Sequence, residues 1–195
     1  INMPFCFCWA NESWAKTWKA IPGANVWTID DVNNKDSNVN SVILLQQDYG
    51  GVKEWKEHFM YLLPFFKDER YLRIDDKPVF QFYHTGQIYC LSDMLILWQE
   101  LAKQNGLSGI YIMAANLNGK KISGVDAEFL FEPSKCLGNV KEIIQNGVST
   151  CSYDEIWQYI LQLRGSLEKQ YYCGLVSFDT TPRKKEYGVS VEGAS

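Results

Sequence analysis

The sequence predicts an α/β fold built on a parallel sheet, and three observations predict it. Short apolar runs such as Pro4-Phe5-Cys6-Phe7-Cys8-Trp9-Ala10 lack clean alternation, as strands buried on both faces do. Amphipathic helical stripes separate several of these runs. The resulting order is strand, loop, strand, helix, strand, helix, strand, strand, helix, strand, an alternation that argues for layered helices on a sheet.

Each element has its own signal. The first strand, residues 4–10, ends in the polar and aromatic cluster Asn11-Glu12-Ser13-Trp14. Residues 19–41 are rich in Asn, Asp, Ser, Gly and Pro and read as a long irregular loop. Val42 to Leu45 form a second strand, followed by Gln46-Gln47-Asp48-Tyr49-Gly50-Gly51. Trp55, Phe59, Leu62, Leu63 and Phe66 then lie on one helical stripe. Glu54, Lys56, Glu57, Lys67 and Asp68 read as its solvated face, and His58 within it is assigned no catalytic role. Asp75-Asp76-Lys77-Pro78 is a turn before a strand from Val79 to Tyr83 that ends at His84. Leu91, Leu95, Trp98 and Ala102 mark a second helix, stopped by Asn105-Gly106. Strands follow at Gly109 to Ala115, ending at Asn116, and at Ala127 to Phe131, ending at Glu132-Pro133. Ser152 with Glu155 is a capping box that opens a third helix, with Ile156, Ile160, Leu163 and Leu167 inward. Gly174 to Phe178 is read as the last strand, ending at Asp179-Thr180-Thr181-Pro182-Arg183.

Composition narrows the function. The chain has 195 residues, net charge −4, 46% hydrophobic and 22% charged residues, which suits one globular domain over 1–195 and excludes a collagen-like or disordered chain. No apolar run approaches the ~18 residues of a membrane span, and the first residues lack a signal-peptide pattern. Mild acidity, with no basic cluster beyond Arg183-Lys184-Lys185, argues against a nucleic-acid partner. The six cysteines include no C-x-x-C pair and there are two histidines, so no metal framework and no cofactor is expected. Cys6 and Cys8, on one side of a strand, would be about 6.5–7 Å apart, at or beyond disulfide reach. Free thiols suit a reducing compartment, and a cytoplasmic location is expected.

Polar and aromatic groups recur just past strand ends: Trp9, Asn11, Glu12 and Trp14; Gln47 and Tyr49; Tyr83 and His84; Asn116; Glu132; Asp179 and Arg183. Strand ends converge on one face in an α/β barrel, where active sites are built. Carboxylates, amides and aromatic rings together suit an oligosaccharide or polysaccharide, because hydroxyls need paired donors and acceptors and pyranose C–H faces stack on rings. Plainer readings stay open: Glu12 as a solvated loop residue, Trp9 and Trp14 as packing, His84 as a structural hydrogen-bonding residue, Asp179 as a turn-forming residue.

At these residues the chain resembles a known family. Phe5-Cys6-Phe7-Cys8-Trp9-Ala10-Asn11-Glu12-Ser13-Trp14 resembles the F-x-x-x-W-A-N-E-x-W signature of WbsX-type proteins, which are glycoside hydrolase family 99-like. Gln47-Asp48-Tyr49-Gly50, the run from Trp55 to Phe66, Tyr71 to Phe80, and Asp179-Thr180-Thr181-Pro182-Arg183 extend the similarity. The resemblance implies a (β/α)8 TIM-type barrel acting on cell-surface polysaccharide or mannose-type glycans. It also implies either a hydrolase-type activity or a glycosyltransferase of lipopolysaccharide or capsule biosynthesis. The family's later N-x-W-N-E-W-x-E segment, which carries the hydrolases' carboxylates, is absent, and Phe178 and Thr180 stand where the family has Trp and Asn. The chain is therefore expected to be an incomplete barrel, lacking the first and last strands. Glu12 and Asp179 are its candidate catalytic carboxylates, with sugar binding their first expected role. Trp9, Asn11, Trp14, Gln47, Tyr49, Tyr83, His84, Asn116 and Arg183 are expected to bind substrate. A non-catalytic glycan-binding module is the third reading.

Overall fold

A computed structural model describes residues 2–15, 43–133, 135–145, 148–163, 169–184 and 188–193. The chain divides into two compact units, Ile1–Glu128 and Phe129–Ser195. The architecture is mixed α/β with a mostly parallel sheet, and no closed barrel is seen among the described residues. The loop expected over 19–41 lies outside the described residues, as does Leu167.

In the first unit, β1 (Phe7–Trp9), β5 (Lys77–Phe82) and β6 (Tyr111–Ala115) run parallel, with Phe7 opposite Phe80 and Phe80 opposite Ile112. Between them in sequence lie β2 (Trp14–Ala15), β3 (Ile43–Leu45), α1 (Val52–Phe66), β4 (Arg73–Ile74) and α2 (Leu91–Gln104). β2 pairs antiparallel with β3, and β4 forms a hairpin with β5 through Asp75 and Asp76, at φ 50° and 61°. Among the described residues α1 lies in the first of these parallel connections and α2 in the second, as crossovers between parallel strands require.

The expected stripes bury as read. Trp55, Phe59, Leu62, Leu63 and Phe66 face inward on α1, and Leu91, Leu95, Trp98 and Ala102 on α2. Both helices cover one face of the sheet, where Phe59, Phe66 and Trp98 meet Phe80 and Phe82 in one cluster. Side chains of this size contribute about 1.5–3 kcal/mol each on full burial. Alternation in β1 follows: Phe7 meets Phe65 and Trp9 meets His58 of α1, while Cys8 points the other way and is exposed. Gln99 of α2 donates from Nε2 to the Ile110 carbonyl at 2.8 Å and accepts the Ile110 N–H at 3.0 Å, which pins the start of β6. Every residue of β6 is buried, as a strand covered on both faces should be.

β7 (Ala127–Leu130) spans the boundary between the units. The second unit holds β8 (Glu142–Gln145), β9 (Val148–Ser152), α3 (Tyr153–Gln162), β10 (Gln170–Tyr172), α4 (Thr181–Lys184) and β11 (Val189–Glu192). β8 and β9 form an antiparallel hairpin that β11 joins in parallel. Ser152 caps α3, its Oγ accepting the Glu155 N–H at 3.4 Å, and Ile156 and Ile160 bury against Cys136, Cys151 and Leu175. The strand expected over 174–178 is displaced to β10. The cause is α3: the Trp157 indole takes the Leu175 carbonyl at 3.1 Å, and the Leu175 side chain is drawn into the core beneath it. All six cysteines are free. Among the described residues no helix is long and apolar enough to cross a membrane.

Candidate functional site

The ends of β1 and β5 are joined by backbone and by an amide. Tyr83 donates its N–H to the Trp9 carbonyl at 3.1 Å. Asn11, fully buried, then continues the ladder with its side chain: Nδ2 donates to the His84 carbonyl and Oδ1 accepts the His84 N–H, both at 2.8 Å. Tyr49, from the connection between β3 and α1, donates its hydroxyl to the Asn11 carbonyl at 2.8 Å. Gln47 in the same connection donates its N–H to Ser13 Oγ at 3.0 Å. Trp9, Asn11, Glu12, Gln47, Tyr49, Tyr83 and His84 are thereby gathered at one edge of the sheet.

The electrostatics agree with that geometry. Burial pushes the Tyr83 and Tyr49 phenols up, and the Glu12 carboxylate near both adds to the shift. Burial holds the His84 and His58 imidazoles below their ordinary value, so both are neutral at pH 7. His84 Nδ1 is buried, with no hydrogen-bond partner among the described residues.

Beside this edge opens a cleft of about 650 Å³, lined by Trp9, Gln47, Asp48, Tyr49, Gly50, Gly51, Glu54, Trp55, His58, Tyr89 and Met94. Its walls are held in place. The Trp55 indole donates to the Tyr49 carbonyl at 2.6 Å, and the Trp98 indole donates to the Trp55 carbonyl at 2.9 Å. Trp9 meets His58 edge-on at 4.8 Å between centroids and Tyr49 at 6.0 Å. Gly50 sits at φ +60°, and a Cβ there would lie 2.7 Å from the Glu54 side chain, so the turn into α1 requires glycine.

Three of the expected site residues line this cleft: Trp9, Gln47 and Tyr49. Asn11, Glu12, Tyr83 and His84 lie next to it, connected through Trp9 and Tyr49. Asn116 follows β6 at φ 50°, at the corresponding end of the next strand. Asp179 belongs to the second unit, where its exposed carboxylate accepts the Thr181 N–H at 2.8 Å and the Thr181 hydroxyl at 2.7 Å. Those bonds lower its pKa and are the turn-forming arrangement weighed above. The side chains of Trp14 and Arg183 lie outside what the structure describes.

Sequence reasoning passed over Trp55, His58, Glu54 and Tyr89. In the sequence Trp55 reads as part of the core stripe, His58 as a helix residue without a catalytic role and Glu54 as part of the solvated face. The available signal was spacing: Trp55 and His58 stand three residues apart on one helix, directly after a Gly-Gly turn, and so share a face.

Comparison with known proteins gives one consistent family. The model for the family described as Glycosyltransferase WbsX matches residues 1–195. Two curated relatives, each named Uncharacterized protein WxcX, come from Xanthomonas campestris pv. campestris strains B100 and ATCC 33913. Each is 24% identical over 137 residues, which is 69% of this chain and 17% of theirs. The chain thus spans less than a fifth of the length of these relatives. No solved structure matches.

Proposed function

The chain belongs to the WbsX glycosyltransferase family, and from that footing we propose that it handles a saccharide of polysaccharide biosynthesis in the cleft beside β1. One observation carries the reading: a cavity of about 650 Å³ walled by Trp9, Tyr49, Trp55 and Tyr89, with Gln47 and Asp48 at hand for hydroxyls. Rings supply flat apolar faces to pyranose C–H groups, and the amide and carboxylate supply a donor and acceptors. Asn11 acts here as a positioning residue, since its amide is spent on His84. It fixes Glu12 beside the two phenols, where the carboxylate accepts a sugar hydroxyl. In a hydrolase-type reaction the same carboxylate is the one to serve as acid, base or nucleophile, and that chemistry needs a second carboxylate across the bond.

The finer architecture belongs to the same proposal. β1, β5 and β6 are parallel neighbours in chain order, and α1 and α2 cover one face, as consecutive βα units of a (β/α)8 barrel would.

Titration calorimetry with mannose-containing oligosaccharides tests the binding site, comparing the chain with Tyr89→Ala. Tyr89 is 82% exposed and meets Tyr49 at 6.4 Å, so its removal should leave the melting temperature unchanged. Affinity should fall about 3- to 10-fold, the worth of one stacking ring. Equal affinities for the two proteins, or no heat from any oligosaccharide, would count against the cleft.

A further inference from the structure

The charge of the cleft goes further than its shape. Among the described residues its charged lining groups are Asp48 and Glu54, with neither lysine nor arginine in the wall. His58 in the same wall is neutral at pH 7, since burial lowers its pKa. The N-terminus of α1 opens here, and such a terminus ordinarily attracts anions. In this chain its own carboxylates occupy it. Glu54 Oε2 accepts the Gly51 N–H at 2.9 Å, and Asp48 Oδ1 accepts the Gly50 N–H at 2.9 Å. The bond from Gly51 lowers the Glu54 pKa, so that group stays a carboxylate. On the solvent side of α1, Lys53 lies 3.9 Å from Glu57 instead.

An incoming carboxylate, phosphate or pyrophosphate would therefore meet two like charges in the wall, with the positive charge of Lys53 acting on Glu54 from outside it. An ammonium group would meet two carboxylates and the faces of aromatic rings. Resting on the saccharide reading above, we propose that the cleft sorts sugars by charge. It takes amino sugars most tightly, neutral sugars next, and uronates, sugar phosphates and nucleoside diphosphate sugars last.

The test holds stereochemistry constant. One mannose-containing oligosaccharide is titrated into the full chain in three forms: unmodified, with C6 oxidised to a carboxylate, and with the C6 hydroxyl replaced by an amine. At low salt the carboxylate form should bind about tenfold more weakly than the neutral form, and the amine form more tightly than either. At 0.5 M salt the differences should shrink as the charges are screened. Asp48→Asn combined with Glu54→Gln should bring the three affinities together. Should that pair fail to fold, the salt series on the unaltered chain decides by itself. A carboxylate form that binds as well as the neutral one overturns the charge proposal and leaves the saccharide reading standing. If none of the three forms binds, the saccharide reading fails and takes this inference with it.

Discussion

Asn11→Ala should cost far more stability than a substitution at a surface strand end. The side chain is fully buried, and two hydrogen bonds of 2.8 Å tie it to the His84 backbone. Each such bond contributes about 1 kcal/mol net, and its loss leaves the His84 N–H and carbonyl without partners in a half-buried place. The sum is about 2–4 kcal/mol, a large share of the ~5–15 kcal/mol that holds an ordinary domain together. With a urea slope of about 2–3 kcal/mol per molar, the unfolding midpoint should drop by about 1 M, read by tryptophan fluorescence. Asn11→Asp is the sharper companion. One oxygen can still accept the His84 N–H, but the other faces the His84 carbonyl and needs a proton to donate to it. The folded state therefore raises the pKa of that new carboxyl above its unfolded value. The stability it contributes is present below the unfolded pKa and lost as pH rises through the folded one. Measured against the unaltered chain at each pH, the deficit should shrink toward acid. A loss under about 0.5 kcal/mol for Asn11→Ala, or a pH-independent deficit for Asn11→Asp, refutes the amide as the tie between β1 and β5.

Two further outcomes follow from the same structure. Burial lowers the pKa of His58 and His84 from 6.5, so below that pH the unfolded chain binds protons first. Thermal stability should accordingly fall between pH 7.5 and pH 5.5, and the combined variant His58→Gln, His84→Gln should flatten that slope; an equal slope would show that other groups set it. Gly109→Ala should lose about 1–3 kcal/mol in urea unfolding. Gly109 sits at φ +127°, and a Cβ there would lie 2.8 Å from the Gln99 Oε1 that holds Ile110.

The first unit was the more legible one, for a physical reason. Its helices are long enough for the apolar period to repeat, so Trp55 to Phe66 and Leu91 to Ala102 announce both the element and its buried face. What the period does not announce is the object that a face meets. His58 sits beside the core stripe, and only the pairing of β1 with β5 brings Trp9 against it. The second unit is made of shorter pieces. The antiparallel pair β8–β9 has a sequence signal of its own, Asn146-Gly147 between Glu142-Ile143-Ile144-Gln145 and Val148-Ser149-Thr150. The displaced strand carried none. Leu175 and Val176 favour a strand locally, and the choice falls to an indole eighteen positions away in sequence that claims the Leu175 carbonyl.

Polar residues at strand ends show the same division between local chemistry and its partner. Asn11 and Gln99 each present an amide to a backbone N–H and carbonyl of one residue, His84 and Ile110. Each thereby imitates the next rung of a sheet. From sequence alone such an amide looks the same as one turned toward a sugar, because both need a donor and an acceptor side by side. Burial separates them: a fully enclosed amide with both ends engaged has no bond left to offer a ligand in that direction, whereas Gln47, in the wall of the cleft, donates from Nε2 to the neighbouring Asp48 carbonyl at 2.8 Å. Under the saccharide reading proposed above, its Oε1 is the amide atom that would take a hydroxyl, whereas the amide of Asn11 is committed to the architecture.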